Sequence, residues 1–528
     1  MSKISDSRSH GEDCAWSCKR LADLDSVTEK GLQAYKSWLP SVGLDEKEHQ
    51  LQGVKWCLYH ELVQEPNAGV RGGIIADEMG LGKTILMIAC IRHNFKARTL
   101  IVLPPALLTQ WVAVFQRFLG HTPFVYRGSE AKKITVDQLL KKPIVITTYG
   151  MITPRTNKRT MDLTYSKLHQ IQWSRVIYDE AHHARNSKTK VHLGACSLKA
   201  DISWMVTGTP INNRLADLSA LCKVIGLQVS SNKKKIKKLM DIYLLRRTKD
   251  QVGIALPPVR THDIEVNWDS PEERDMAADI HTALNFTDVN KENVHEIIAW
   301  MSKHPLAAMT RARQACIYPQ LLHEAVIKMK SRGILPQEVE LEEISTSSKM
   351  QSVTKQIVAN KFSGKRKLIF SHFRGEIDEL KKRIVATGMT VQTIDGRTKT
   401  QNKKQRVTPI VSESQFRSVC KSWNNCPSDV FGVIDSFMAP DVMIVQIQTA
   451  CEGLNMQHFQ EIYFTSPHWN PAVEDQAVAR AHRIGQEKSV DVYRFVMEGF
   501  GRNSISFEQY CCKIQDFKRE VMKILISK

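Results

Sequence analysis

From about Arg71 to Pro210 the chain alternates short apolar runs with stretches of helical period. GGIIA, TLIVLP, PIVITTY, SRVIYDE and ISWMVTGTP each carry the near-continuous hydrophobic residues that a parallel strand needs when both its faces are covered. The pattern predicts an α/β lobe over 46–250. The same texture returns in KLIFSHF, VMIVQIQT, EIYFTSP and VDVYRFVM, which predicts a second α/β lobe over 349–528. Between them strand-like runs nearly disappear and helix formers dominate, as in HEIIAWMSKH and LLHEAVIKMK, so 251–348 reads as a helical insertion or connector. STSSK (Ser345 to Lys349) reads as a hinge. Residues 1–45 stand ahead as an N-terminal extension, and Lys399 to Asp429 reads as a loop-rich insert without an assignable role.

After the strand GGIIA comes DEMGLGKT (Asp77, Glu78, Met79, Gly80, Leu81, Gly82, Lys83, Thr84), followed at once by an apolar helix. A glycine-rich loop running from strand to helix surrounds phosphate oxygens with backbone N–H groups and a helix N-terminus. Lys83 would neutralise charge and Thr84 is placed to ligate magnesium. The full GxxxxGK[ST] pattern is not met, because Asp77 stands where the first glycine would be. A second element, VIYDEAHH, ends another strand with Asp179, Glu180 and His182. Adjacent carboxylates at a strand end suit two tasks, one holding the metal and the next orienting or deprotonating the attacking water. A third, DQAVARAHRIGQ (Asp475 to Gln486), puts Arg480 and Arg483 three apart, which predicts one helix face from which both could meet a transferring phosphoryl group.

Charge adds a partner class. Lys plus Arg number 74 against 55 Asp plus Glu, a formal +19 over 528 residues, which points to a polyanion. Two basic runs, SSNKKKIKKL (Ser230 to Leu239) and RTKTQNKKQR (Arg397 to Arg406), read first as solvated faces or loops rather than as direct polyanion contacts. The composition, 42% hydrophobic and 24% charged, is that of a globular chain. The longest apolar stretches, such as TILMIACI, are far below the roughly 18 residues that span a bilayer. Twelve cysteines show no repeated CxxC pair, and the first residues lack the apolar core of a secretory signal, so reduced thiols and a non-secreted protein are expected.

Taken in order, these segments resemble the superfamily-two helicase fold and, within it, the Swi/Snf-like family of DNA-translocating ATPases. HQLQGVKW (His49 to Trp56), LIVLPPALLTQW (Leu100 to Trp111), ITTY (Ile146 to Tyr149) and VTGTPINN (Val206 to Asn213) flank DEAHHARN. LIFSHF, IDGRT, QTACEGLNM and SPHWNP precede DQAVARAHRIGQ. LLRRTKDQV (Leu244 to Val252), LPPV (Leu256 to Val259) and RQACIYP (Arg313 to Pro319) are similar to the family's protrusion and connector segments. Asn212 and Ala450-Cys451-Glu452 depart from its usual pattern. Thr207-Gly208-Thr209 in place of SAT, together with the Arg480–Arg483 segment, disfavours an RNA helicase of the DEAH kind.

The resemblance implies two RecA-like lobes, ATP as substrate with Mg2+, and double-stranded DNA as partner. It implies Gln50 as the adenine reader, Gln476 at the nucleotide, Asp179 and Thr84 at the metal, Glu180 at the water, and Thr148, Thr449 and Asn455 against the nucleic-acid backbone. Catalysis would fall to Glu180, Asp179, Lys83, Arg480 and Arg483. A strand-separating DNA or RNA helicase, a transcription-associated DNA-dependent ATPase and a catalytically silent scaffold remain alternatives. Chromatin or transcription machinery are further partners the family allows. The chain resembles a bare motor of either cellular or large-DNA-virus type, and expected residence is the nucleus in the first case, a cytoplasmic viral factory or virion in the second.

Overall fold

The computed structural model describes residues 9–63, 67–157, 159–208, 215–229, 233–282, 306–331, 333, 344, 346–398, 440–450, 456–483, 485–501 and 504–526. Thr209 to Asn213, the 399–429 insert, Cys451, Glu452 and Asn455 lie outside them, as do the side chains of Cys14, Cys18 and Thr449. The chain divides into two compact units, Met1–Ala255 and Leu256–Lys528.

The first unit holds β1 (Gly72–Ile75), β2 (Thr99–Leu103), β3 (Phe124–Val125), β4 (Ile144–Thr148), β5 (Arg155–Thr156), β6 (Leu163–Thr164), β7 (Gln172–Asp179), β8 (Lys199–Val206) and β9 (Leu244–Leu245). Seven of these form one sheet in the order β3-β4-β2-β7-β8-β1-β9, paired in parallel throughout; β5 and β6 make a separate antiparallel pair. β1, β2 and β4 are buried along their whole length, which is why they read as unbroken apolar runs. Parallel strands all end on one edge. Ile75 and Asp179 both pair with Val206, and Leu103 pairs with Thr148, so the phosphate loop, the acidic pair and Thr148 emerge together.

A buried polar cluster fixes the sheet to the helix Glu48–Leu62. Arg175 on β7 donates to Glu61 (Nε to Oε1 2.7 Å, Nη2 to Oε2 2.5 Å). Trp204 Nε1 and Asn94 Nδ2 complete the carboxylate at 2.8 Å each. With both charges fully buried and every oxygen matched, the helix that carries His49 and Gln50 is held against the strand that carries Asp179. The extension ahead of it is part of the same body: a helix, Ser9–Trp38, sends Leu32, Tyr35 and Trp38 into this core, and Leu39 follows.

The second unit is another parallel sheet, of β10 (Val259–Val266), β11 (Lys367–Ser371), β12 (Val391–Ile394), β13 (Val442–Gln446), β14 (Glu461–Phe464) and β15 (Val490–Met497), ordered β10-β15-β14-β11-β13-β12. β10 was not expected, since the region was read as helical. Its side chains are largely exposed and polar, and eight consecutive pairings to β15 hold it. Helices Pro271–Thr282, Leu306–Ile317 and Ser348–Ala359 pack on this unit through Ala277, Ala312, Cys316, Ile317, Met350 and Val353. The expected hinge is a correction: Ser347, Ser348 and Lys349 are fully buried. Ser347 donates to Ile317 O (2.9 Å), Ser348 donates to Glu273 Oε2 (2.6 Å) and Lys349 pairs with Glu508 (2.7 Å). A helix start so tied does not act as a hinge, since bending it would strand a buried ion pair.

Among the described residues seven cysteines are free, no helix is long and apolar enough to cross a membrane, and no cluster of metal-ligating side chains stands apart.

Candidate active site

β1 runs into a loop whose outer flank is pinned by the short edge strand β9. Ala76 N–H donates to Leu245 O (2.7 Å) and Glu78 N–H to Arg247 O (2.9 Å), continuing the pairing past the strand ends. The Asp77 carboxylate is fully buried and faces Arg247, whose backbone N–H and Nε both donate to Oδ1 at 3.0 Å, with Nη2 closing on Oδ2. Only the main-chain carbonyl of Asp77 is turned to Lys83. Glu78 accepts from the Lys249 backbone (2.8 Å) and pairs with its ammonium (3.2 Å).

Gly80 (φ 94°) and Gly82 (φ 86°) then take left-handed conformations that residues with a Cβ rarely adopt. Gly82 caps the helix Lys83–His93, and the loop's N–H groups lie at that helix's N-terminus. The Lys83 ammonium donates to Asp77 O (2.8 Å) and Glu78 O (3.3 Å). Two walls approach closely. A Cβ at Gly82 would lie 2.5 Å from Gln50 Nε2, and one at Gly208 would lie 3.0 Å from Met79 Cγ and 3.6 Å from Lys83 Nζ. His49 Nε2 donates to Leu81 O (3.3 Å), holding the adjacent Gln50 at the loop. Gln50, the loop, Lys83, Thr84 and Gly208 thus form one cradle, of the donor chemistry that a triphosphate requires.

The acidic pair closes it. Asp179 Oδ2 accepts from Trp111 Nε1 (2.7 Å) and Oδ1 from the Glu180 backbone (3.0 Å). Burial first, then the Glu180 charge, pushes the Asp179 carboxyl up to about 6, while Trp111, the Glu180 N–H and the nearby Lys83 charge pull the other way. A bound cation would favour the ionised form, which fits a metal ligand. Glu180 sits at φ 49°, ψ 51°, a left-handed turn that throws the chain into Ala181–Ala184. Its carboxylate lies 3.3 Å from His182 Nδ1. His182 stacks on His183, His183 stacks on Tyr149, and the Tyr149 hydroxyl donates to Asp179 O (2.8 Å).

Thr148 is buried at the end of β4, one residue before that tyrosine. In the second unit Gln476 is buried on the helix Pro471–Ala481, and Arg480 lies in its last turn. Arg483 does not share that helix face, contrary to the spacing argument. His482 leaves the helix (φ −89°, ψ 82°) because its Nε2 donates to Pro257 O at 2.7 Å. The two guanidinium groups still feel each other: burial, then the Arg480 charge, lowers the Arg483 pKa.

Arg247, Lys249 and Trp111 were not singled out from the sequence as site residues, although LLRRTKDQV and LLTQW contain them. Their partners lie far off in the chain, and only the fold shows why they are there.

A family profile, the SNF2-related domain, matches residues 49–321, which is 273 of 528 residues and spans the loop, the acidic pair and LLRRTKDQV. The chain belongs to this family. As an SNF2-related protein it is a helicase-like ATPase. Among its relatives, a "Probable global transactivator" of Orgyia pseudotsugata multicapsid polyhedrosis virus is 26% identical over 492 residues, 89% of each chain. An uncharacterized ATP-dependent helicase of Mycoplasma genitalium is 26% identical, covering 90% of this chain and 42% of the relative. Chromodomain-helicase-DNA-binding protein 6 of Mus musculus is 26% identical, covering 88% and 17%. The chain therefore spans most of the viral relative but less than half of the other two. The solved "Sulfolobus solfataricus SWI2/SNF2 ATPase core in complex with dsDNA" matches at 22% identity and a TM-score of 0.36, over 92% of this chain and 93% of that one.

Proposed function

We propose that this SNF2-related chain hydrolyses ATP at the Asp77–Thr84 loop and uses each cycle to move along double-stranded DNA, displacing or remodelling protein bound to it. The observation that carries the reading is the acidic pair, in which Glu180, set in a left-handed turn, adjoins Asp179, whose buried carboxylate feels the charge of Lys83 on the loop. The loop N–H groups and Lys83 bind the phosphates, and Gln50 stands at the base side of the cradle. Thr84 and Asp179 are the residues that would hold Mg2+, which when bound neutralises phosphate charge and polarises the phosphoryl oxygens. Glu180 orients the attacking water and accepts its proton at a carboxylate oxygen. Trp111 and Tyr149 keep the turn in register from either side. Arg480 and Arg483 are assigned to the transferring phosphoryl group from their sequence, as are Gln476 at the nucleotide and Thr148, Thr449 and Asn455 at the DNA backbone.

Duplex DNA as the track is supported by the formal charge of +19 and by relatives whose names include DNA binding. A motor indifferent to sequence must grip phosphates rather than base edges. The test is steady-state ATP hydrolysis with duplex DNA, single-stranded DNA or RNA added in turn, with Glu180→Gln as the blank. Stimulation by duplex, lost in the variant, is expected. Stimulation by single strands or RNA alone would replace this reading with an unwinding helicase, and activity indifferent to every nucleic acid would overturn it.

A further inference from the structure

The β5–β6 hairpin belongs to no part of the nucleotide site, yet it is built as if to reach something. It leaves the C-terminal edge of the first sheet through Tyr149–Ile152 and turns back at Asn157–Asp162. The turn is closed by Asn157 N–H to Asp162 O and Met161 N–H to Asn157 O, both at 2.9 Å. Met161 stands at the tip with φ 58° and 73% of its surface exposed. A left-handed position costs an ordinary residue about 1–2 kcal/mol, and glycine is its natural occupant. A long apolar side chain held there, largely in water, adds little to the turn or to a core. Leu163 and Tyr165 are exposed beside it, and so are Arg155 and Arg159, whose guanidinium groups have no ion-pair partner among the described residues. Across 155–165 the sequence carries Arg155, Lys158 and Arg159 against Asp162, a net 3 − 1 = +2.

The base of the hairpin is anchored as firmly as the tip is exposed. Gly194 lets the helix Lys190–Cys196 sit directly on it: a Cβ there would lie 2.0 Å from Ile152 O and 3.0 Å from Pro154 Cδ. The Lys190 ammonium closes on the Thr156 hydroxyl. That helix follows the acidic turn, to which His192 Nδ1 ties it through Ala184 O (2.8 Å). Tyr149, at the root of the same segment, holds the Asp179 carbonyl.

We infer that the Arg155–Thr164 hairpin is a groove probe for double-stranded DNA, with Arg155 and Arg159 on the phosphates and Met161 as an apolar wedge in the minor groove. Flexible apolar tips flanked by basic groups suit that groove, whereas a protein partner would find little contiguous apolar area here. Anchorage at Tyr149 and Gly194 lets strain at the tip reach the turn that holds Asp179 and Glu180. The inference rests on the duplex-translocase reading and adds to it a contact that the ATPase machinery does not require.

The experiment uses the full chain, comparing wild type with Arg155→Ala/Arg159→Ala and with Met161→Gly. It measures duplex affinity from 50 to 200 mM salt, the ratio of DNA-stimulated to DNA-free hydrolysis, and Tm. Removing two phosphate contacts should lower the log-log salt slope by about 1.8, so that affinity falls roughly tenfold less across that range than in wild type. Met161→Gly should hold or raise Tm while lowering maximal stimulation. Variants that keep the wild-type slope and stimulation would overturn the inference and leave the tip to a protein partner. A wild-type chain unresponsive to duplex would overturn the translocase reading and the hairpin's role together.

Discussion

Arg247 closes on Asp77 from 170 residues away, with its backbone and its guanidinium on one fully buried carboxylate. The residue that breaks the phosphate-loop pattern is thus the bolt that joins the loop to the end of the first unit. Arg247→Ala would strand that carboxylate in the core. Breaking a buried pair from one side costs about 3–5 kcal/mol, to be read as a lower urea midpoint for the first transition. KM for ATP should rise with it, because the flank of the loop is released. A midpoint and KM like those of wild type would show that the pair is dispensable.

Trp111 orients the Asp179 carboxylate, the group that would hold the metal. Trp111→Phe keeps the ring but removes the donor to Oδ2, leaving the carboxylate less firmly oriented. Losing such an outer partner typically costs about 10–100-fold in metal affinity or activity. The check is a magnesium titration of ATP hydrolysis, in which the half-saturating concentration should move upward while the far-UV spectrum stays unchanged.

Acid should weaken the second unit through His281. Its Nδ1–H donates to Ala277 O (2.6 Å) and its Nε2 accepts the Phe507 N–H (2.9 Å), so the ring must be neutral, and burial depresses its pKa to about 4. Because the folded value lies below the unfolded one near 6.5, the unfolded chain binds the extra proton. The stabilisation is whole above pH 6.5 and is lost as pH falls toward 4. His60, His93 and His468 shift the same way, to about 4 each. Scanning calorimetry should show Tm falling over that window. His281→Leu should start lower at pH 7, having orphaned the Phe507 N–H, yet fall less steeply. An equal slope in the variant would assign the acid sensitivity elsewhere.

What the sequence made legible was whatever is local or fully buried. All nine apolar runs singled out in the sequence are strands, because a strand covered on both faces leaves little room for polar positions. The glycine loop and the acidic pair could be read because strand, loop and helix follow one another within a few residues. β10 escaped because VRTHDIEV is exposed along most of its length and is held by pairing with β15 rather than by burial. Arg483 was misplaced because helical spacing was carried past His482, where a bond to Pro257 turns the chain. Trp111 and Arg247 meet their partners across 68 and 170 residues, separations over which no periodicity carries a signal.

The span recognisable as SNF2-related begins at residue 49, yet Leu32, Tyr35, Trp38 and Leu39 lie in the core against which the Lys83 helix packs. What a family shares and what a folding body needs are therefore drawn along different lines. Cutting at the first shared residue would open an aromatic hole beside the nucleotide cradle, and the resulting fragment would show lost ATP turnover and stickiness that belong to the cut rather than to the enzyme.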